Sequence, residues 1–166
     1  NFLSVLDLVD NASVQFKDSY MLVGGNAGRS MVKYYYADPE MLTSPSKPID
    51  MPEPNVSFTL DLSTLNSLKK AASVFGHNQM VIEPDSGSIK LTVVDPENTT
   101  ANTYSIIVEG DYDTEEFKFV LSINNLKMIA DDYQVGISSK LISQFTSVNQ
   151  DVKYWVALEK TSTYGE

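Results

Sequence analysis

The chain contains no cysteine. That removes any disulfide framework and any thiolate chemistry, and it fits a reducing, intracellular setting. The Asn98-Thr99-Thr100 sequon is accordingly read as idle. Histidine is represented once, by His77. With no second histidine and no thiol, neither a zinc site nor a nucleophile–His–acid triad can be assembled around it in any usual form. Long apolar runs are lacking too, and none approaches the length that spans a bilayer. Phe2–Val9 is apolar, but it carries Asp7 and no basic residue precedes it, so it does not read as a signal peptide. Basic residues are scarce: 12 Lys and Arg stand against 22 Asp and Glu, a net charge of −10 over 166 residues. Tight non-specific nucleic-acid binding rests on clustered cations, so the balance argues against it. A minority of lysines gathered on one face remains compatible with contact to DNA.

A unit recurs along the chain: a short helix followed by three strand-like runs. Phe2–Asp10, Ser63–Phe75 and Asn124–Ile129 read as the helices. Strand-like runs precede the second and third, at Val56–Leu60 and Phe117–Ser122, and none precedes the first. Repeated supersecondary units stack to bury a shared core, so the missing strand points to a fragment cut inside a domain. After the first helix come Ser13–Phe16, Tyr20–Gly24 and Ser30–Ala37, the last rich in β formers. Residues 38–55 differ: Pro39, Pro45, Pro48, Pro52 and Pro54 break any helical or alternating pattern, giving an extended but oddly apolar connector. Leu62, Leu65, Leu68, Ala72 and Phe75 make the apolar stripe of the second helix, opposite Asn66, Lys70 and Ser73, with Lys69 at the edge. Asp61 or Ser63 serves as its N-cap and Gly76 ends it. Met80–Glu83, Ser88–Val94 and Asn102–Glu109 follow as strands, Gly110–Glu116 as an acidic crossover. Tyr133–Ser138, Ile142–Val148 and Val152–Glu159 complete the third unit.

Motifs that invite chemistry dissolve on inspection. Gly24-Gly25-Asn26-Ala27-Gly28-Arg29-Ser30 has the wrong glycine spacing for a phosphate loop, carries Arg for Lys, and leads into a strand. Asp111, Asp113 and Glu115 start like a calcium loop, but Glu116 and Ser122 stand where its glycine and last glutamate belong. Tyr34, Tyr35 and Tyr36 alternate faces on a strand, which prevents a shared base-stacking platform. Lys69 and Lys70 on the second helix and Lys127 on the third are the informative cations. A solvated helix face explains each alone. Their recurrence on equivalent helices, in a chain short of lysine, marks them as candidates.

The order of elements resembles a DNA polymerase sliding clamp of the T4-type bacteriophage class. The likeness rests on Asn1–Asp10, similar to the second helix of that clamp's first domain, and on Ala37-Asp38-Pro39 with Pro45-Ser46-Lys47-Pro48-Ile49, similar to its interdomain connector. It rests also on the crossover Gly110-Asp111-Tyr112-Asp113, the last-helix segment Asn125-Leu126-Lys127-Met128, and Tyr154–Glu159 followed by Ser162-Thr163. The resemblance implies an α+β DNA-clamp fold: repeated strand–helix–three-strand units with helices on one face of antiparallel sheets. It implies that residues 1–37 form the second half of a truncated first domain, 38–55 the connector and 56–166 a second domain.

The function so implied is a processivity factor that encircles double-stranded DNA without sequence preference and tethers the DNA polymerase. It would be set on DNA by a clamp loader, in the cytoplasm of an infected bacterial host. It needs no catalysis, cofactor, metal or membrane. An acidic ring with a basic pore would reconcile the net charge with DNA. Lys69, Lys70, Lys127 and Lys140 are then the DNA-facing candidates. Met41, Leu42, Pro48, Ile49 and Met51, with Val156, Ala157 and Leu158, would form a pocket for partner peptides. Head-to-tail pairing of the edges Ser30–Ala37 and Asn102–Glu109 would close a homotrimer, with Met31, Val32 and Tyr34 meeting Tyr104, Ile106 and Val108. A non-catalytic α+β phage structural or ligand-binding module is the alternative.

Overall fold

The computed structural model describes residues 2–6, 8–25, 28–42, 46–114 and 116–165, without the side chains of residues 3 and 4. The chain divides into two compact units, Asn1–Pro48 with Lys127–Ile129, and Ile49–Leu126 with Ala130–Glu166.

In the first unit, helix α1 (Phe2–Leu6) precedes an antiparallel sheet of β1 (Ser13–Phe16), β2 (Tyr20–Gly24) and β3 (Met31–Tyr35), in that order. Val9, Met21 and Val23 are its buried centre, and Phe2, Val5, Val14, Val32 and Tyr34 pack around them. The glycine-rich segment is the β2–β3 hairpin turn. Gly25 N–H donates to the Ser30 carbonyl, and Gly28 adopts a φ of 66°. Residues 26 and 27 of the phosphate-loop reading lie outside the described residues. Pro39–Met41 is a single 3₁₀ turn in the connector, begun by Asp38, whose carboxylate accepts from Glu40 N–H at 3.0 Å.

The second unit holds two five-stranded antiparallel sheets. One runs β12 (Lys153–Ala157), β11 (Ile142–Ser147), β10 (Tyr133–Ser138), β4 (Val56–Leu60), β8 (Gly110–Tyr112). The other runs β13 (Thr163–Tyr164), β9 (Phe117–Ser122), β5 (Gln79–Asp85), β6 (Ser88–Val94), β7 (Tyr104–Val108). Alternation does what period two requires: Val56, Phe58 and Leu60 are buried while Thr59 is exposed. Ser86 and Gly87, at φ 52° and 88°, make the two-residue turn whose twist suits a hairpin. Pro84 stands in β5 beyond the last residue that pairs with β9, where its missing N–H costs no ladder bond. The acidic crossover contains a strand that periodicity does not signal. Gly110 lets β8 approach β4, since a Cβ there would lie 2.4 Å from the Ser57 carbonyl oxygen.

Helix α2 (Leu62–Phe75) packs against β6 and β7. Leu65, Leu68 and Ala72 are buried, and Leu62 and Phe75 are half-buried at the margins of the stripe. The expected third helix is absent. Ile123–Asn125 forms one 3₁₀ turn without a side-chain cap from Ser122, and 126–129 has no regular structure. Six residues give too little propagation to offset helix nucleation. Burial of Ile123 and Leu126 holds the segment in place instead. The first helix is likewise shorter than the apolar run that suggested it, ending at Leu6.

Candidate functional site

The most firmly positioned surface is α2. Asp61 caps it, accepting from Thr64 N–H at 2.8 Å and from Thr64 Oγ1 at 2.9 Å. These bonds to Thr64 hold the Asp61 carboxyl below its ordinary value. Asp132, distant in sequence, accepts from Leu62 N–H at 2.7 Å. Two carboxylates thus meet the positive end of the helix dipole. Gly76 at φ 72° closes the other end, its N–H donating to Ala72 carbonyl. Between these ends Ser63, Asn66, Lys70 and Ser73 face solvent.

Of the candidate cations, Lys70 is exposed on α2 and Lys69 is half-buried beside it. Lys140 is exposed in the β10–β11 turn. Lys127 is exposed too, but on the irregular segment after the 3₁₀ turn, and it falls in the first unit. The structure therefore puts Lys69 and Lys70 on one helix and distributes Lys127 and Lys140 over other elements. Lys90 is ion-paired to Glu83 at 2.9 Å, directly across the β5–β6 ladder.

Both expected pairing strands are edges: β3 ends the three-stranded sheet and β7 ends its own. Their side chains divide differently from the sequence reading. Val32 and Tyr34 turn inward, the Tyr34 ring meeting Phe2 edge-on at 5.8 Å. Met31 is 66% exposed, and Tyr35 is exposed beside Lys33, whose Nζ sits 4.1 Å over the Tyr20 ring. On β7, Tyr104, Ile106 and Val108 are half-buried, opposite fully buried Val93, Leu91 and Ile89. Ser105 and Ile107 are exposed, and Ile107, at 59%, is the apolar one. A groove of about 280 Å³ runs between α2 and this edge, lined by Ser67, Lys70, Ala71, Val74, Phe75 and Tyr104.

The expected peptide-pocket residues also separate. Met41, 82% exposed, and Leu42 lie in the first unit, with Pro48 exposed at its end. In the second unit Ile49 is exposed and Met51 half-buried. Val156 and Leu158 are withdrawn into the core, so Ala157 alone of that trio reaches the surface. Their neighbours in sequence line a cavity of about 200 Å³: Ser162, Thr163 and Tyr164, with Phe119, Ser139 and Leu141. Sequence reasoning passed over Tyr164 and Leu141. The only advance sign was the Ser162-Thr163 pair. Leu141 holds a left-handed φ of 61°, rare for a bulky residue, in the turn that shapes this wall. Of the would-be calcium ligands, Asp111 is on β8 and Asp113 is hydrogen-bonded to Asn55 and Tyr164, while Glu115 lies outside the described residues. No acidic or histidine cluster able to hold a metal occurs among the described residues.

Residues 57–160 match the model of the gp45 sliding clamp, C-terminal family. This chain belongs to the gp45 sliding-clamp family. The clamp chain is 31% identical to the sliding clamp of Vibrio phage KVP40 over 95% of its own length and 72% of that protein. It is 28% identical to the sliding clamp of Enterobacteria phage T4, over 98% of its length and 73% of that protein. Among solved structures it superposes on a β sliding clamp of C. crescentus with a TM-score of 0.54 and 16% identity, over 90% of this chain. The clamp chain spans 40% of that bacterial chain's length. At that identity the likeness establishes fold, and the fold is the DNA-clamp fold expected from the order of elements.

Proposed function

We propose that this chain works as part of a sliding clamp: a ring subunit that encircles duplex DNA and tethers the replicative polymerase for processive synthesis. The observation that carries the reading is α2. The family match spans it, both its ends are fixed, and its solvent face offers Lys70 on a chain of net charge −10. Polar side chains and one or two cations suit sliding, because strong phosphate contacts would hold the ring in one place. Lys70 and Lys127 are the principal DNA-facing residues, with Lys69 and Lys140 at the margin. The role is binding and assembly, not catalysis, and the setting is the cytoplasm of an infected bacterium, where a clamp loader opens the ring.

Residues 1–37 act in this reading as the second half of one clamp domain, 38–55 as the connector, and 56–166 as the next domain. Rings close head to tail, as a homotrimer, through the β3 and β7 edges, a heterologous contact. Met31 and Ile107 supply exposed apolar contact there, and the α2–β7 groove receives side chains from the neighbour. Partner peptides, the polymerase tail among them, dock an apolar side chain into the cavity walled by Leu141 and Tyr164. The decisive experiment loads the full-length protein onto nicked circular DNA and then linearises it. A clamp stays on the circle through a salt wash and is lost from free ends. Retention unchanged by linearisation would show ordinary binding and refute encirclement.

A further inference from the structure

Ser139 and Tyr164, two residues that line the cavity, are bridged by one side chain, that of Asn55, the last residue before β4. Asn55 Oδ1 accepts from Ser139 N–H at 2.8 Å. Its Nδ2 donates to the Tyr164 hydroxyl oxygen and to Asp113 Oδ2, both at 2.9 Å. The Tyr164 hydroxyl donates to the same Asp113 oxygen at 2.7 Å. The backbone is committed as well: Asn55 N–H donates to Ile137 carbonyl at 2.8 Å, and Asp113 N–H donates to Asn55 carbonyl at 3.3 Å. Four segments therefore meet at one amide: the end of the connector, the end of β8, the β10–β11 turn and β13.

This matters because β13 has little else to place it. It contributes two residues to the ladder, Thr163 opposite Lys118 and Tyr164 opposite Phe117. Gly165 N–H adds a bond to Glu116 carbonyl, and the Tyr164 ring stacks on Phe119 at 6.2 Å. A ladder so short is a weak constraint, so the hydroxyl bonds add to the Phe119 stacking and to the Val120 N–H bond to Ser162 Oγ in fixing the Tyr164 ring. We propose that Asn55, with Asp113 and Tyr164, is the positioning hub of this pocket: it sets the gap between Ser139 and Tyr164 into which a partner peptide's side chain inserts. The proposal rests on the peptide-pocket reading above. It makes the connector's last residue a determinant of peptide affinity, although Asn55 is not among the residues lining the cavity.

The test titrates the full-length clamp with a synthetic peptide of the carboxyl-terminal residues of the replicative DNA polymerase it is proposed to tether, read by fluorescence anisotropy and by amide NMR. Asn55→Ala, which deletes the bridge between the two walls, weakens binding about five- to tenfold. Tyr164→Phe keeps the ring and its stacking and weakens it about threefold. The double variant binds no worse than Asn55→Ala alone, because both act through one network. Asp113→Ala weakens binding, and Asp113→Asn restores it, since an amide oxygen accepts the same two bonds. The Ser139 amide resonance moves in Asn55→Ala. Leu141→Lys, on the cavity wall itself, abolishes binding. Wild-type affinity in folded Asn55→Ala and Tyr164→Phe, with loss in Leu141→Lys, would overturn the hub while leaving the pocket intact. Simple additivity of the first two would overturn the hub as well. Wild-type affinity in Leu141→Lys would remove the pocket, and the hub with it.

Discussion

Leu65→Ala probes whether α2 is held to its sheet as tightly as the proposed DNA-facing role requires. Leu65 is 1% exposed, one turn from Leu68 at 1% and two turns from Ala72 at 5%. Opposite it, β6 presents Ile89, Leu91 and Val93, all fully buried. Removing three carbons loses about 2.4 kcal/mol of transfer energy, at about 0.8 kcal/mol per group. The residual cavity adds to that loss, because a helix capped at both ends cannot tilt to fill it. The total is about 3–4 kcal/mol, within the range of Leu→Ala changes at packed sites. A domain of roughly 100 residues has about 5–15 kcal/mol in all, and at about 4–8 °C per kcal/mol this loss should lower Tm by about 12–32 °C. The chain's single tryptophan, Trp155, lies on β12 in the same unit and reports its unfolding in urea. The midpoint should drop with the slope m unchanged. Asn66→Ala, next in sequence but exposed, should shift stability by no more than about 0.5 kcal/mol. A Leu65→Ala loss under about 1 kcal/mol, or one matched by Asn66→Ala, would refute the packing of α2 and with it the geometry of the proposed DNA face.

Three further outcomes follow from the same geometry. Replacing Lys70 and Lys127 by alanine should lower the slope of log K against log salt for DNA by about 0.9 per lysine. An unchanged slope would remove that residue from the proposed pore. Ile107→Lys should shift the proposed ring toward monomer in light scattering at micromolar concentration, whereas Ser105→Lys, at a position on the same strand that is exposed but already polar, should act less. Equal assembly in wild type and Ile107→Lys would exclude the β7 edge. Acid should destabilise the second unit through Asp61, Asp113 and Asp131. Each is held below the ordinary value of 3.8, chiefly by bonds to Thr64, to Asn55 and to Ser147 respectively. The folded state favours their ionised forms, so their contribution is complete above pH 3.8 and is lost as pH falls through the lower folded-state values. Asp61→Asn should flatten the fall in urea midpoint below pH 4, and an unaltered fall would show that Asp61 contributes nothing to it.

What period and punctuation encode, the sequence determined by itself. The α2 stripe, its Asp61 and Gly76 ends, the β4 alternation and the Ser86-Gly87 hairpin are local preferences that tertiary packing reinforced. The clamp family was legible for the same reason: its order of elements is a one-dimensional property. Other features depend on partners far along the chain. β8 is a strand because Gly110 lets it lie against β4, and β13 is one because Phe117 and Lys118 offer an edge. Residues 124–129 looked helical, yet burial of Ile123 and Leu126 outweighs a propensity too short to nucleate. Val156 and Leu158 looked like pocket walls and became core. Asn55, an unremarkable polar residue after a proline, became a junction because Ser139, Asp113 and Tyr164 arrive around it from sequence separations of 84, 58 and 109 residues. A sequence states which faces are apolar and where the chain turns. Which polar groups converge is decided only when folding brings distant donors and acceptors within about 3 Å.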